Sequence, residues 1–144
     1  MFKRILYPVD FSSLTQRCLD FIKQLKCSGV GEVVLVHVVD TRYASSVSWA
    51  FPENFMEDEA GLKERLMEKI NPIKDELEKE GYKVRVRIEK GNPFVEILRV
   101  EEEEDVSFVV IGSYGVTHLG KFLLGSVSDA VLRNSKKPVL LVRG

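Results

Sequence analysis

Cysteine is scarce in this chain: Cys18 and Cys27 are the only two, nine residues apart, with no CxxC and no histidine beside them. That pattern argues against a zinc site and against a disulfide, and it reads as two structural thiols of a reducing compartment. Long apolar runs are missing as well. No stretch approaches the ~20 apolar residues of a membrane-crossing helix. The start, Met1-Phe2-Lys3-Arg4-Ile5-Leu6, becomes charged too early for a secretory leader. An excess of one charge is also absent. The 21 basic and 22 acidic side chains leave a net charge of −1, so no general attraction to nucleic acid or to an acidic membrane is expected. Glutamine and asparagine are few, two and four, beside abundant Glu and Lys, which leans towards a heat-adapted source. What remains is ordinary: 144 residues, 44% hydrophobic and 30% charged. The expectation is a single cytoplasmic domain spanning 1–144, long enough for a sizeable core.

Strand and helix patterns alternate along the chain. Ile5-Leu6-Tyr7-Pro8-Val9 reads as a first strand closed by Asp10, and Ser12 or Ser13 is placed to cap the next helix. Leu14, Cys18, Phe21, Ile22 and Leu25 follow at helical spacing, which puts Cys18 in the core, and Gly29 and Gly31 end the helix. Residues 32–39 form a second strand whose Val33-Val34-Leu35-Val36 is apolar on both faces. Residues 40–57 show no clean period and carry Tyr43, Trp49, Phe51 and Phe55. A stretch of that kind serves as a lid or partner surface, or its aromatics pack back on the core. A helix is expected over 58–80, kinked or split at Pro72, with Leu62, Leu66, Ile70, Ile73 and Leu77 inward. Val84, Val86 and Ile88 then alternate with Arg85, Arg87 and Glu89, as in an edge strand with one wet face. Asn92-Pro93 is a cap followed by proline at the first helical position. The helix it opens ends in Glu101 to Glu104, four carboxylates that read as a solvated run or a contact for a basic partner. Residues 106–111 form a buried strand, 126–134 a helix with Val127, Ala130 and Val131 inward, and 139–143 the last strand. The order βαβαβαβαβ predicts an α/β fold: a five-stranded parallel open sheet, order 3-2-1-4-5, Rossmann-like, with helices on both faces.

Residues 112–126 are the stretch with the most chemistry. They hold four glycines, a lysine and no carboxylate, between the end of a buried strand and the start of a helix. Freed amides at a helix start carry partial positive charge, and glycine lets a ligand approach the backbone, so the layout is that of a phosphate site. In a 3-2-1-4-5 sheet the order reverses between the first and fourth strands, where ligands bind. Asp10 closes one of those strands and Gly112 the other. Gly115-x4-Gly120-Lys121 looks like a P-loop, but Phe122 stands where Ser or Thr must hold the metal. The dinucleotide fingerprint GxGxxG is absent.

The spacing that fits is Gly112-x2-Gly115-x9-Gly125-Ser126. With Tyr7-Pro8-Val9-Asp10-Phe11-Ser12, Val36-His37-Val38-Val39-Asp40 and Lys137-Pro138-Val139-Leu140-Leu141-Val142, it makes the whole chain resemble the ATP-binding type of the universal stress protein family. The resemblance implies an ATP site. Pro8, Val9 and Asp10 would line the adenosine side, with Asp10 near the ribose or a metal-bound water. Val38 would receive adenine through its backbone, and Ile111 and Gly112 would flank the sugar. Gly115, Gly125, Ser126 and Val127 would hold the phosphates, which would carry Mg²⁺ or Mn²⁺; no protein ligand to a metal and no catalytic residue are assigned. Tyr114 is a lid, a stacking group or an exposed ring. His37 is a core histidine or a catalytic one, His118 touches phosphate or solvent, and Lys121 is a candidate counter-charge. Phosphoryl transfer needs a metal clamp and a group that orients the nucleophile, and the Gly loop supplies neither. The expected function is a nucleotide-dependent switch in stress response with little or no hydrolysis. The alternatives are a slow ATPase, or a dimeric partner-binding protein that needs no nucleotide. A homodimer through the apolar last strand is expected, since such an edge invites a second copy, with no nucleic-acid or membrane partner and an unknown protein partner open.

Overall fold

A computed structural model describes residues 2–41, 59–113, 115–116 and 122–144; for residues 59, 115, 116, 122 and 123 it describes the backbone alone. The five-stranded sheet consists of β1 (Arg4–Pro8), β2 (Glu32–Asp40), β3 (Lys83–Gly91), β4 (Phe108–Gly112) and, last in the chain, β7 (Val139–Val142). All neighbouring pairs are parallel, in the order β3-β2-β1-β4-β7, which is the expected 3-2-1-4-5. β5 (Gly115–Val116) and β6 (Phe122–Leu123) form a separate antiparallel pair inside the stretch read from sequence as a loop.

The central strand shows why the sheet is buried on both sides. Ile5 and Tyr7 point into one core and Leu6 into the other, and all three are shut off from solvent. The first core receives Cys18, Leu19 and Ile22 from α1 (Thr15–Gln24) and Ile70, Ile73 and Leu77 from α2 (Glu59–Lys79). The second receives Ile97 and Val100 from α3 (Pro93–Glu103) and Val131 from α4 (Ser126–Asn134). Period-two strands and period-3.6 helices thus meet in two layers of apolar contact, the arrangement that right-handed βαβ crossovers produce.

Local starts and stops explain most element bounds. Asn92 Oδ1 accepts the Phe94 amide at 3.2 Å and Pro93 occupies the first helical position, as the sequence suggests. The start of α1 differs from expectation. Its cap position is Leu14, with no side-chain cap, and the Ser12 hydroxyl accepts the Leu14 amide one step upstream. The turn after β1 uses up Ser12, so the helix begins later. A 3-10 turn, Leu25–Ser28, then carries the chain to Gly29, whose φ of +94° is the left-handed stop glycine favours. Neither a split nor a second segment forms at Pro72: α2 is one helix of 21 residues with Pro72 on its exposed side. An outward proline leaves the freed carbonyl to water, not to the core.

Two of the four glutamates are a correction, while Glu102 and Glu103 are exposed as expected. Glu101 and Glu104, three apart and so on one helical face, are 4% and 7% exposed. Glu101 accepts from Ser135 Oγ at 2.7 Å and from the Lys136 amide at 3.1 Å, which anchors the turn before β7. Glu104 accepts from Arg85 at 2.7 Å and Arg87 at 3.4 Å. Arg87 and Arg99 then gather Glu89, Glu96 and Glu103 into one ionic cluster. On the wet face of β3, Lys83 and Arg85 stay exposed while Arg87 and Glu89 are half-buried, and Glu103 and Glu104, which oppose the α3 dipole, are paired with arginines of that strand.

Candidate functional site

Beyond the strand C-termini, between β1 and β4, lies a partly open, mostly apolar cavity of about 250 Å³. It sits where strand order reverses, since α1 leaves β1 towards one edge while the chain leaves β4 towards the other. Nine of the ten residues expected at the site line it: Pro8, Val9, Asp10, Val38, Ile111, Gly112, Gly125, Ser126 and Val127. The tenth, Gly115, pairs with Leu123 in the short ribbon. Tyr114, His118, Gly120, Lys121 and the four aromatics of 40–57 lie outside the described residues.

Each wall has its own cause. At one end α4 opens on Gly125, whose extended backbone (φ −67°, ψ 155°) offers no side chain to cap the helix. The first-turn amides of Ser126 and Val127 therefore have no side-chain acceptor at the cap, and both residues line the cleft at the positive end of the helix dipole. That end is tied to the sheet, because Ser128 Oγ donates to the Gly112 carbonyl at 2.8 Å. At the other end Val9 donates its amide to the Val36 carbonyl at 2.8 Å, and Asp10 turns back so that Oδ1 accepts the Ser12 amide at 3.0 Å. Phe11 follows in the left-handed region, φ +58°. The floor between is apolar, with Val36, Ile97 and Ile111.

Several lining residues were not signalled by the sequence. Tyr7 and Cys18 reach the cavity from its α1 side. Burial, with Cys18 beside it, drives the Tyr7 hydroxyl far above its usual range. Burial likewise pushes the Cys18 thiol up to about 11, so it stays protonated and inert at neutral pH. Ser113 is buried in the lining, and its hydroxyl has no hydrogen-bond partner among the described residues. An orphaned buried hydroxyl fits a site that awaits a polar ligand. Its signal was its place inside the glycine motif. His37 lines the cavity too, with Nδ1 2.7 Å from the Val9 carbonyl oxygen.

Gly112 has a reason to be a glycine that the sequence did not signal. A Cβ built on it would lie 3.3 Å from Cys18 Sγ and 3.4 Å from Leu14 Cβ. The close approach at this position is made by helix α1.

Comparison with known proteins agrees with this architecture. Residues 1–143 match the model of the universal stress protein family. Universal stress protein MJ0577 of Methanocaldococcus jannaschii is 39% identical over 99% of this chain and 96% of its own length. The solved structure of MJ0577 superimposes with a TM-score of 0.83 at 40% identity, covering 100% of this chain and 97% of that one. Universal stress protein YxiE of Bacillus subtilis is 30% identical over 99% of this chain and 100% of its own. A universal stress protein from Archaeoglobus fulgidus, solved in complex with dAMP, shares the fold with a TM-score of 0.67 at 22% identity, covering 97% of each chain. With its 3-2-1-4-5 sheet and its cleft at the point of reversal, the chain belongs to the universal stress protein family.

Proposed function

We propose that the cleft binds an adenine nucleotide, ATP carrying Mg²⁺ or Mn²⁺ on its phosphates, and that the bound state rather than hydrolysis is the protein's output. The observation that carries this reading is the single cavity in which an uncapped helix start, an apolar slot and Asp10 converge. Val38 would meet the base, Pro8, Val9 and Asp10 the nucleoside, and Ile111 and Gly112 the sugar. Gly115, Gly125, Ser126 and Val127 would meet the phosphates, whose charge the α4 terminus complements. Slow turnover is favoured because Asp10 is the one carboxylate in the described lining, and its Oδ1 is already engaged by Ser12. His37 Nδ1 is likewise occupied by Val9.

A thermal melt with and without nucleotide tests the reading. ATP with Mg²⁺ at a hundred-fold excess over its dissociation constant adds about 2.7 kcal/mol, a rise of several degrees that Gly115→Val abolishes. No shift with any adenine nucleotide would favour the partner-binding alternative. Brisk ATP turnover that disappears in Asp10→Ala would overturn the switch in favour of an enzyme.

A homodimer through β7 is part of the same proposal. β7 is the outer strand next to β4, and Leu140 on it is 39% exposed. The opposite edge, β3, carries Lys83, Arg85, Arg87 and Lys90, charges of the kind that discourage edge pairing.

A further inference from the structure

Several contacts converge on the turn that presents Asp10. Val9 is held twice: its amide by the Val36 carbonyl at 2.8 Å, and its carbonyl by His37 Nδ1 at 2.7 Å. A carbonyl oxygen can only accept, so Nδ1 carries a proton there whatever the state of Nε2. Phe11 adopts a φ of +58°, a conformation that bulky side chains rarely enter and that persists only where the surroundings enforce it. Its ring lies against the imidazole, centroids 4.9 Å apart and planes inclined by 44°. On Phe11 also sits Lys69 of α2, with Nζ 5.5 Å from the ring centre. Asp10 is the single residue between the two points that His37 grips.

We propose that His37 is a positioning residue of this site: through the Val9 carbonyl and the Phe11 ring it holds the 9–12 turn, and with it Asp10, in the conformation that receives the nucleoside. This role rests on the nucleotide reading above. The imidazole N–H fixes the backbone before Asp10 and the ring fixes the residue after it. A group pinned on both sides by packed neighbours keeps its geometry before the ligand arrives. Lys69 extends the contact to α2, so the turn is braced from the sheet and from a helix together.

The two halves of His37 separate by substitution. Asparagine places an amide nitrogen near the position of Nδ1, so His37→Asn keeps a donor for Val9 and loses the ring. His37→Phe keeps a ring and leaves the Val9 carbonyl unpaired. The measurements are amide hydrogen exchange of residues 9–12 without ligand, ATP affinity by calorimetry, and a melting curve for each variant. His37→Phe is expected to speed exchange at Phe11 and Ser12 and to weaken ATP by about ten-fold, the loss typical of an orphaned buried acceptor. His37→Asn is expected to recover affinity to within about three-fold of the parent even where its melting point is lower, a rescue by donor that general destabilisation would not give. Wild-type binding with unchanged exchange and affinity in His37→Phe overturns the positioning role and leaves the nucleotide reading intact. No binding by the wild type overturns the nucleotide reading, and this role with it. Should His37→Phe fail to fold, Phe11→Ala removes the other half of the grip; faster exchange at Ser12 and weaker ATP binding support the role, and no change in either overturns it.

Discussion

Gly112 and Cys18 are a matched pair, because the space that a Cβ at 112 would need is already taken by the Cys18 sulfur and the Leu14 side chain. Gly112→Ala is therefore expected to cost about 1–3 kcal/mol, the usual penalty for an added methyl in a packed core. Cys18→Ala alone leaves a small void. The double variant should lose less than the sum of the two, by about 0.5 kcal/mol or more, which a double-mutant cycle of chemical denaturation measures. Cys18 also sets a pH limit. Its thiol is held protonated to about 11 in the fold, against an unfolded value near 9. Below 9 both states are protonated and the contribution is intact. Between 9 and 11 the unfolded chain gives up the proton and the folded one keeps it, so stability falls as pH rises. The buried Tyr7 hydroxyl acts in the same direction. Melting temperature should fall between pH 9 and 11, and more gently in Cys18→Ala. The glycine at 112 was visible in the sequence, but this packing reason for it was not, since a helix contact made across 94 residues leaves no local pattern.

The elements divide into those whose ends are set locally and those set by tertiary contact. Asn92-Pro93 starts α3 through a cap and a ring-fixed φ, both contained in two adjacent residues, so that boundary is legible. The start of α1 is not, because Asp10 and Ser12 serve the turn after β1 before they can serve the helix. The glutamates of α3 show the same limit. A run of four like charges looks solvated until the partners are known, and those partners, Arg85 and Arg87 on β3 and Ser135 and Lys136 before β7, lie elsewhere in the chain. The i, i+3 spacing of Glu101 and Glu104 was the available signal. Glu101→Ala is expected to cost about 1–3 kcal/mol, because it orphans the Lys136 amide and the Ser135 hydroxyl that order the approach to β7. Glu102→Ala, at an exposed position one residue on, should stay within about 0.5 kcal/mol. Urea denaturation of the two variants compares them directly.

At the scale of the whole molecule, the sheet order places the cleft and leaves two unlike edges. Both followed from the sequence, since alternating strand and helix patterns admit few topologies. The β3 edge is charged and braced by α3, whereas β7 offers Leu140 and a backbone side that no strand among the described residues pairs. A charge in the middle of that edge, Leu140→Lys, is expected to shift the protein from dimer to monomer in light scattering while leaving its fold and ATP binding in place. A wild-type protein that is monomeric at every concentration would end the proposal of a β7 dimer. The nucleotide site is the central claim, and a calorimetric titration of the purified protein with Mg²⁺–ATP tests it most directly. The account predicts saturable binding of one nucleotide per chain with a dissociation constant in or below the micromolar range. The absence of heat up to millimolar ATP, in protein shown to be folded and free of copurified nucleotide, would contradict it.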